Sequence, residues 1–426
     1  GVVTSVRRPR PPPAPEAAPE AAAEEGSAGV RAPLLPSASP PPSSRLQYLD
    51  NLKVVLTAIV VVHHCGCAFV YGPGWYFAVK APEPGTPSWV VLIFLLQVNQ
   101  AYFMPLFFFI SGYFTPPSVE RKGRLEFLRD RCRRLLAPFT FVDLLLTPAM
   151  CYFIQLVIMG RSHADFVPGP GVMWYAGWLV LFSGAYAAVE LPGANSGAPP
   201  PPPSTLSLIA AGLCCGVVQL GLLATRAPTI AFMPNAFGAL PFDVAAFALG
   251  CAARRNGWLE DLARQGRNAG VRSLLAMQVA ASAVITVLQG VGLPPLLTGL
   301  AMVPLFGTMC PTAGLVWLGF METSGNWATP RAKAASALAF PVYITHPAAV
   351  VLMTWVYLLL LSTLPGTHVA FGDRSAVEVK GAFYLWRLVG AAGVSAASLA
   401  LACGFAAAYE AASGAAMRGL RRAIGR

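Results

Sequence analysis

The stretch that decides the fold is Tyr48–Cys65, YLDNLKVVLTAIVVVHHC, an apolar run that carries two charged side chains and two histidines. Asp50 and Lys53 lie near its start, and His63 and His64 lie near its end. In a helix with about 100° per residue, Asp50, Lys53 and His64 share one face, whereas His63 points about 100° away. Ionisable groups in a membrane helix face the bundle interior or a wet cavity, so this stripe predicts a helix inside a bundle.

The composition is that of a polytopic membrane protein. Of the 426 residues, 55% are hydrophobic and only 12% are charged, whereas soluble domains average roughly 25% charged residues. Apolar runs of about 20 residues, the length that crosses a bilayer, recur along the chain. The sequence therefore predicts an all-α transmembrane bundle of about ten spanning helices, at 49–70, 88–114, 136–159, 172–190, 205–224, 229–252, 272–291, 296–320, 335–361 and 381–409.

The basic residues lie in short segments between the apolar runs, and the formal net charge is +11. Most of them fall at 121–134, 254–267, 331–333 and 418–426, whereas the alternate loops are nearly free of lysine and arginine. This distribution follows the positive-inside rule, so we expect both termini to lie in the cytosol. It differs from the continuous basic stripe of a nucleic-acid-binding face, so we expect no nucleic-acid partner.

Two segments flank the apolar part of the chain. Residues 1–44 are rich in proline and alanine and carry few large apolar side chains, so we expect them to be disordered. Residues 45–410 contain all the predicted spans and form the expected membrane domain, and residues 411–426 form a basic cytosolic tail. The nine cysteines show no Cys-x-x-Cys pair and no zinc spacing, so they predict no metal site.

The pattern alone leaves three interpretations of His64 open. It is a structural histidine bonded to a neighbouring helix, half of a metal pair with His63, or a general base, since imidazole titrates near neutral pH. Adjacent positions diverge on a helix, which disfavours the metal pair.

Other polar residues in predicted spans are candidate partners of His64. His346 precedes Pro347, whose ring frees a backbone carbonyl one turn earlier. We expect His346 either to hydrogen-bond in that polar region or to meet His64 across the bundle. Asp143 and Asp243 are further candidates, because either carboxylate would fix the tautomer of His64.

The segment RLQYLDNLKVVLTAIVVVHH, residues 45–64, resembles the opening signature of the acyltransferase family 3 membrane proteins, which include O-antigen and peptidoglycan O-acetyltransferases and glucan succinyltransferases. That signature has a basic residue, ten intervening residues and a histidine. Lys53 and His64 match the spacing, with lysine in place of the usual arginine. Further motifs follow in family order, and the resemblance covers about residues 45–410: MPLFFFISGYF (104–114), FLRDRCRRLLAPF (127–139), GPGVMWYAGWLVLF (169–182), FALGCAARRNGWLEDL (247–262) and FPVYITHPAAV (340–350).

The resemblance implies transfer of an acetyl- or succinyl-class group from acyl-CoA, as co-substrate, to a hydroxyl in or across the lipid bilayer, commonly on a carbohydrate. It implies no other cofactor. His64 is the expected general base, because a hydroxyl acceptor must lose its proton, and His346 is the second catalytic candidate. The expected donor-binding residues are Lys53, Asp50, Ser111, Arg121, Arg124 and Arg129, in a basic cluster that also contains Lys122 and Arg131. Supporting roles are expected for His63, Gly112, Trp174 and Tyr343.

Two other functions fit the same residues. A proton-coupled exporter would use the buried histidines and aspartates as a proton relay, and a catalytically inactive scaffold would use them only for packing. The acyltransferase hypothesis predicts that Lys53, His64, Ser111 and His346 border one cavity open to the cytosol.

Overall fold

The computed structural model describes residues 46–70, 75–80, 82–189, 199–225, 229–230, 233–234, 240–371, 376–380 and 383–423. The predicted disordered segment 1–44 lies outside them. Helices dominate, which confirms the all-α prediction. They are α1 (Gln47–Val70), α2 (Pro87–Gln100), α3 (Phe103–Lys122), α4 (Arg124–Phe141), α5 (Thr147–Tyr152), α6 (Trp174–Ala188), α7 (Thr205–Ala224), α8 (Leu240–Asn256), α9 (Leu259–Arg267), α10 (Ala269–Gly290), α11 (Pro295–Ser324), α12 (Pro330–Ser362) and α13 (Phe383–Ala423).

The number of long apolar helices agrees approximately with the prediction. Eight helical segments among the described residues are long and apolar enough to cross a membrane. The predicted fourth and sixth spans correspond to α6 and α8, which have 15 and 17 residues. The last span extends further than expected, because α13 continues through the described part of the basic tail to Ala423.

Three of the predicted spans have boundaries that differ from those of the helices in the structure. The second is two helices, because α2 ends before Ala101 and α3 begins at Phe103, with Pro105 in the first turn, where a missing N–H costs nothing. The third begins at Arg124 and is one helical segment to Ile158, with π-helical turns on both sides of α5, which contains Pro148. The sixth is shorter, because residues 229–230 and 233–234 pair as strands.

The helix that opened the sequence lies inside the bundle. α1 packs against α2, α12 and α13, and its side chains Leu49, Leu52 and Leu56 are fully buried. α3 and α8 pack in close backbone contact, because a Cβ added to Gly112 would collide with the carbonyl oxygen of Phe247. Small residues allow such backbone contact between membrane helices.

The basic segments gather at one end of the bundle. Arg254 in the last turn of α8 contacts Tyr113 in the middle of α3, with 3.4 Å between Nη1 and the hydroxyl oxygen. Arg267 at the end of α9 pairs with Glu322 near the end of α11. Asn51 in the first turn of α1 donates to the carbonyl of Gly325, directly after α11, at 2.7 Å. Helix ends that the positive-inside rule assigns to one side therefore lie together.

A small sheet lies at the opposite end of the bundle. Strands β1 (Ala78–Val79), β4 (His368–Phe371) and β5 (Ala376–Lys380) pair in the order β1-β5-β4, while β2 (Thr229–Ile230) and β3 (Met233–Pro234) form a separate hairpin. β1 follows the end of α1 in the chain, and Arg387 in α13 donates to the carbonyl oxygens of Phe69 and Lys80. These contacts fix the end of α1 that carries His64.

Candidate active site

A pair of imidazoles from α1 and α12 forms the centre of the site. The distance between His64 Nδ1 and His346 Nε2 is 2.8 Å, and the distance between His346 Nδ1 and the Tyr343 carbonyl oxygen is also 2.8 Å. That carbonyl lies four residues before Pro347, which has no N–H to bond it. The two contacts that the sequence offered as alternatives for His346 are both present, and the carbonyl left free by Pro347 orients its ring.

The carbonyl determines where the protons lie in this chain of hydrogen bonds. A carbonyl oxygen only accepts, so His346 must carry its proton on Nδ1, and its Nε2 must accept from His64 Nδ1 when both rings are neutral. The remaining nitrogen, His64 Nε2, then has a free lone pair. The geometry thus leaves His64 with one nitrogen that is able to accept a proton.

Aromatic stacking holds the His64 ring in place. The ring lies 4.5 Å from Trp75, centroid to centroid, at an interplanar angle of 13°, and 4.9 Å from His346 at 17°. Trp75 lies between α1 and β1, and no motif in the sequence marks it as a site residue. His63 packs on Phe103 with centroids 5.0 Å apart, so the two adjacent histidines have different surroundings.

His64 lines a cavity of about 330 Å³ at the end of the bundle that carries the small sheet. Its wall is formed by the end of α1, the start of α3, α5 and the segment before α6. Of the expected site residues, His63, His64, Trp174 and Tyr343 lie on this wall. The other lining residues include Trp75, Tyr76, Gln100, Phe103, Thr147, Cys151 and Gly171.

Four buried polar atoms belong to residues that line this cavity, and they make no hydrogen bond with the described part of the chain. They are His63 Nδ1, Trp75 Nε1, the Tyr76 hydroxyl and Thr147 Oγ1. Burial raises the pKa of the Tyr76 hydroxyl to about 12, against a smaller opposing contribution from the nearby Thr147 hydroxyl, so the Tyr76 hydroxyl stays protonated near neutral pH. A buried polar group without a partner costs about 1–3 kcal/mol. Four such groups around one cavity are the arrangement expected where a polar ligand supplies the missing bonds.

The cavity that His64 lines is not bordered by the other three residues expected to share one cavity with it. Of Lys53, His64, Ser111 and His346, only His64 lines the cavity described above. His346 lies fully buried, bonded to His64. Lys53 precedes His64 by eleven residues, about 16 Å along the helix axis, which places it near the basic end.

The groups near the basic end form a second polar region. Lys53 pairs with Asp50 at 2.7 Å, and its ammonium lies 5.3 Å from the centroid of Phe114. Ser111 Oγ lies 2.7 Å from the hydroxyl of Tyr175. The Tyr175 ring is 5.9 Å from that of Tyr343, so aromatic contact links this region to the cavity of His64.

Among the arginines of the basic cluster, the structure distinguishes Arg131. Arg121, Arg124 and Arg129 are exposed, whereas Arg131 is half-buried and donates to Thr115 Oγ1 at 3.3 Å. Its Nε is buried without a hydrogen bond to the described residues. Helical spacing in the sequence could have indicated this burial, because Arg131 lies four residues from both Phe127 and Leu135, on the buried face of α4.

The aspartates do not orient His64. The hydrogen-bond partner of His64 Nδ1 is His346, and the buried carboxylate oxygens of Asp243 make no hydrogen bond with described residues. Asp143 is half-buried in the π-helical turn that follows α4. Among the described residues there is also no group of three or more His, Cys, Asp or Glu side chains that would hold a metal ion. The site is therefore built on imidazoles, hydroxyls and aromatic rings.

Comparison with known proteins assigns the family. The sequence model of acyltransferase family 3, described as an acyltransferase domain, matches residues 46–409, most of the chain. No curated protein and no solved structure matches. The matched region contains His64, His346 and every residue around them, and it includes the apolar membrane helices. The chain therefore belongs to acyltransferase family 3 and is a multi-pass membrane acyltransferase.

Proposed function

We propose that the protein transfers an acetyl- or succinyl-class acyl group from acyl-CoA to a hydroxyl of a carbohydrate acceptor, with His64 as the general base. The observation that carries this proposal is the hydrogen-bonded series from the Tyr343 carbonyl through His346 to His64. It leaves the Nε2 lone pair of His64 available at a cavity, which is the requirement for general base catalysis.

The reaction follows from that arrangement. His64 Nε2 accepts the hydroxyl proton while the acceptor oxygen bonds to the acyl carbonyl carbon. The carbon–sulfur bond then breaks, CoA leaves as the thiolate, and the imidazolium returns the proton to the sulfur. During the step His64 carries a positive charge, and its Nδ1–H keeps its bond to His346 Nε2, so the ring orientation persists.

The cavity supports a carbohydrate acceptor. Sugars present many hydroxyl groups, and the cavity offers four buried polar atoms that lack partners among the described residues. Sugars also present C–H faces, and Trp75, Trp174 and Phe103 supply aromatic surface on the same wall. Binding sites of this kind combine apolar walls with a few placed polar groups.

The basic end supports the acyl-CoA donor. The phosphates of CoA require cations, and arginine binds phosphate through several N–H donors. Arg131 is the basic-cluster residue that points into the bundle, beside Thr115 on α3. In this proposal Arg131 and Lys53 hold the donor phosphates. The acyl-bearing arm extends past Ser111 and Tyr175 towards His64, and the basic end with both termini faces the cytosol, where acyl-CoA is made.

The test is turnover by the purified protein in lipid nanodiscs, measured as release of free CoA thiol from acetyl-CoA or succinyl-CoA with a panel of sugar acceptors. We expect His64→Ala to reduce kcat about 10²- to 10⁴-fold, the usual contribution of a general base. His163→Ala is the matched control, because His163 is exposed and does not line the cavity. Wild-type turnover in folded His64→Ala protein would show that another group is the base.

A further inference from the structure

A second cavity lies at the basic end of the bundle, between α2, α10 and α11. Its volume is about 580 Å³, and none of its lining residues belongs to the cavity of His64. Arg267 and Arg272 line it together with Thr323 and Ser324. The rest of its wall is mainly apolar and includes Leu275, Val279, Val316, Trp317 and Phe320.

Helix geometry separates the polar and apolar parts of this crevice along the membrane normal. On α10, Arg272, Leu275 and Val279 are three and four residues apart, which places them on one face in successive turns. On α11, Val316, Phe320 and Thr323 follow the same spacing towards the helix end. Both walls therefore run from a polar mouth at the helix ends to an apolar interior.

Close packing of α9 on α11 positions the mouth. A Cβ added to Gly319 would come within 2.6 Å of the Ala263 carbonyl oxygen, so the two backbones touch there. Arg267, at the end of α9, is thereby held against α11, where it pairs with Glu322.

The charge of the mouth is positive. Arg272 is exposed in the first turn of α10 and makes no ion pair with the residues that the structure describes. The carboxylate of Glu322 would repel an anion, but its charge is compensated by its ion pair with Arg267. The three side chains together therefore leave one net positive charge.

We propose that this crevice binds one anionic phospholipid, with the headgroup phosphate on Arg272 and one acyl chain against Leu275, Val279 and Phe320. Three properties support this occupant. α10 is a candidate membrane span, so its first turn lies near the depth of lipid phosphates. The free arginine complements a phosphate. The apolar interior complements an acyl chain, and basic pockets between spanning helices are known binding sites for anionic headgroups.

The experiment measures binding of phosphatidylglycerol and phosphatidylcholine to the delipidated full-length protein in detergent, by native mass spectrometry. We expect a preference for phosphatidylglycerol, and Arg272→Gln should weaken its binding about fivefold, the usual contribution of one arginine near a membrane surface. Arg264→Gln is the control, because Arg264 pairs with Asp261 and does not line the crevice. Phe320→Asn tests the apolar wall separately and should weaken binding of both lipids.

Three results would overturn the proposal. One is equal phosphatidylglycerol binding by the wild type and Arg272→Gln. Another is an equal loss in Arg264→Gln, which would indicate a general surface-charge effect. The third is displacement of the lipid by free inorganic phosphate or by CoA, with an affinity for phosphate or CoA that Phe320→Asn leaves unchanged. That result would make the crevice an anion or nucleotide site.

Discussion

Replacement of His346 by phenylalanine tests the orientation of the proposed base. The substitution keeps an aromatic ring against His64, where the two rings now lie 4.9 Å apart, but removes the nitrogen that accepts from His64 Nδ1. His64 then loses the bond that fixes its tautomer, and its imidazolium loses a partner during the reaction. We therefore expect kcat to fall while the KM values for donor and acceptor change little, since His346 is fully buried and does not line the cavity.

The size of the effect follows from that single bond. A hydrogen bond to a charged group contributes about 1.5–3 kcal/mol. At about 1.36 kcal/mol per factor of ten in rate, this corresponds to a decrease of about 10- to 150-fold in kcat. His346→Gln is the matched variant, because its amide oxygen can accept from His64 Nδ1, and we expect it to recover part of the loss.

The assay is release of CoA thiol by each variant in nanodiscs, with thermal unfolding followed in parallel. Two results would refute the role of His346: wild-type kcat in the phenylalanine variant, or equal losses in the phenylalanine and glutamine variants at unchanged melting temperature. A loss that appears only as a raised KM would instead place His346 in acceptor binding.

Three further predictions follow from the geometry. Arg131→Gln should raise the KM for acyl-CoA several-fold with little change in kcat, whereas Arg133→Gln, at an exposed position of the same helix, should not. Gly250→Ala should destabilise the protein by about 1–3 kcal/mol through collision with the Phe109 carbonyl, seen as a lower melting temperature, whereas Gly184→Ala has open space and should not. Green fluorescent protein fused to the C-terminus should fluoresce in cells, because we expect that terminus in the cytosol. A fusion that does not fluoresce, together with activity of alkaline phosphatase fused at the same position, would place the terminus outside the cytosol.

The sequence predicted helices better than it predicted their ends. Apolar length identified the spans, because each must cover the hydrocarbon thickness. Hydropathy does not register a break such as that between α2 and α3, nor π-helical turns, because both depend on backbone hydrogen bonding rather than on side-chain polarity. It also missed the first part of α4, where charged residues extend the helix beyond the apolar run.

The site was predictable where one element carried the signal. The stripe on α1 identified His64, and Pro347 identified the free carbonyl that orients His346. The contact between His64 and His346 joins residues 282 positions apart, so it depends on how α1 packs against α12. Trp75 and Tyr76 lie between elements, where no periodic pattern marks a side chain as facing a cavity.

The separation of the two polar regions constrains how the reaction must proceed. The proposed base lies at the sheet end, while Arg131 and Lys53 lie at the basic end, about 16 Å away along α1 for Lys53. No single side chain spans that distance, so the donor itself must extend through the bundle if its phosphates stay with the cations. Ser111 in the polar region near the basic end is linked to Tyr343 on the cavity wall through Tyr175, by one hydrogen bond and one ring contact. If the donor takes this proposed route, a larger side chain on it, as in Ser111→Leu, should abolish transfer and leave acceptor binding at the cavity intact. Turnover and sugar binding are measured on the same preparation. Loss of both would mean that Ser111 supports the fold rather than the passage of the donor.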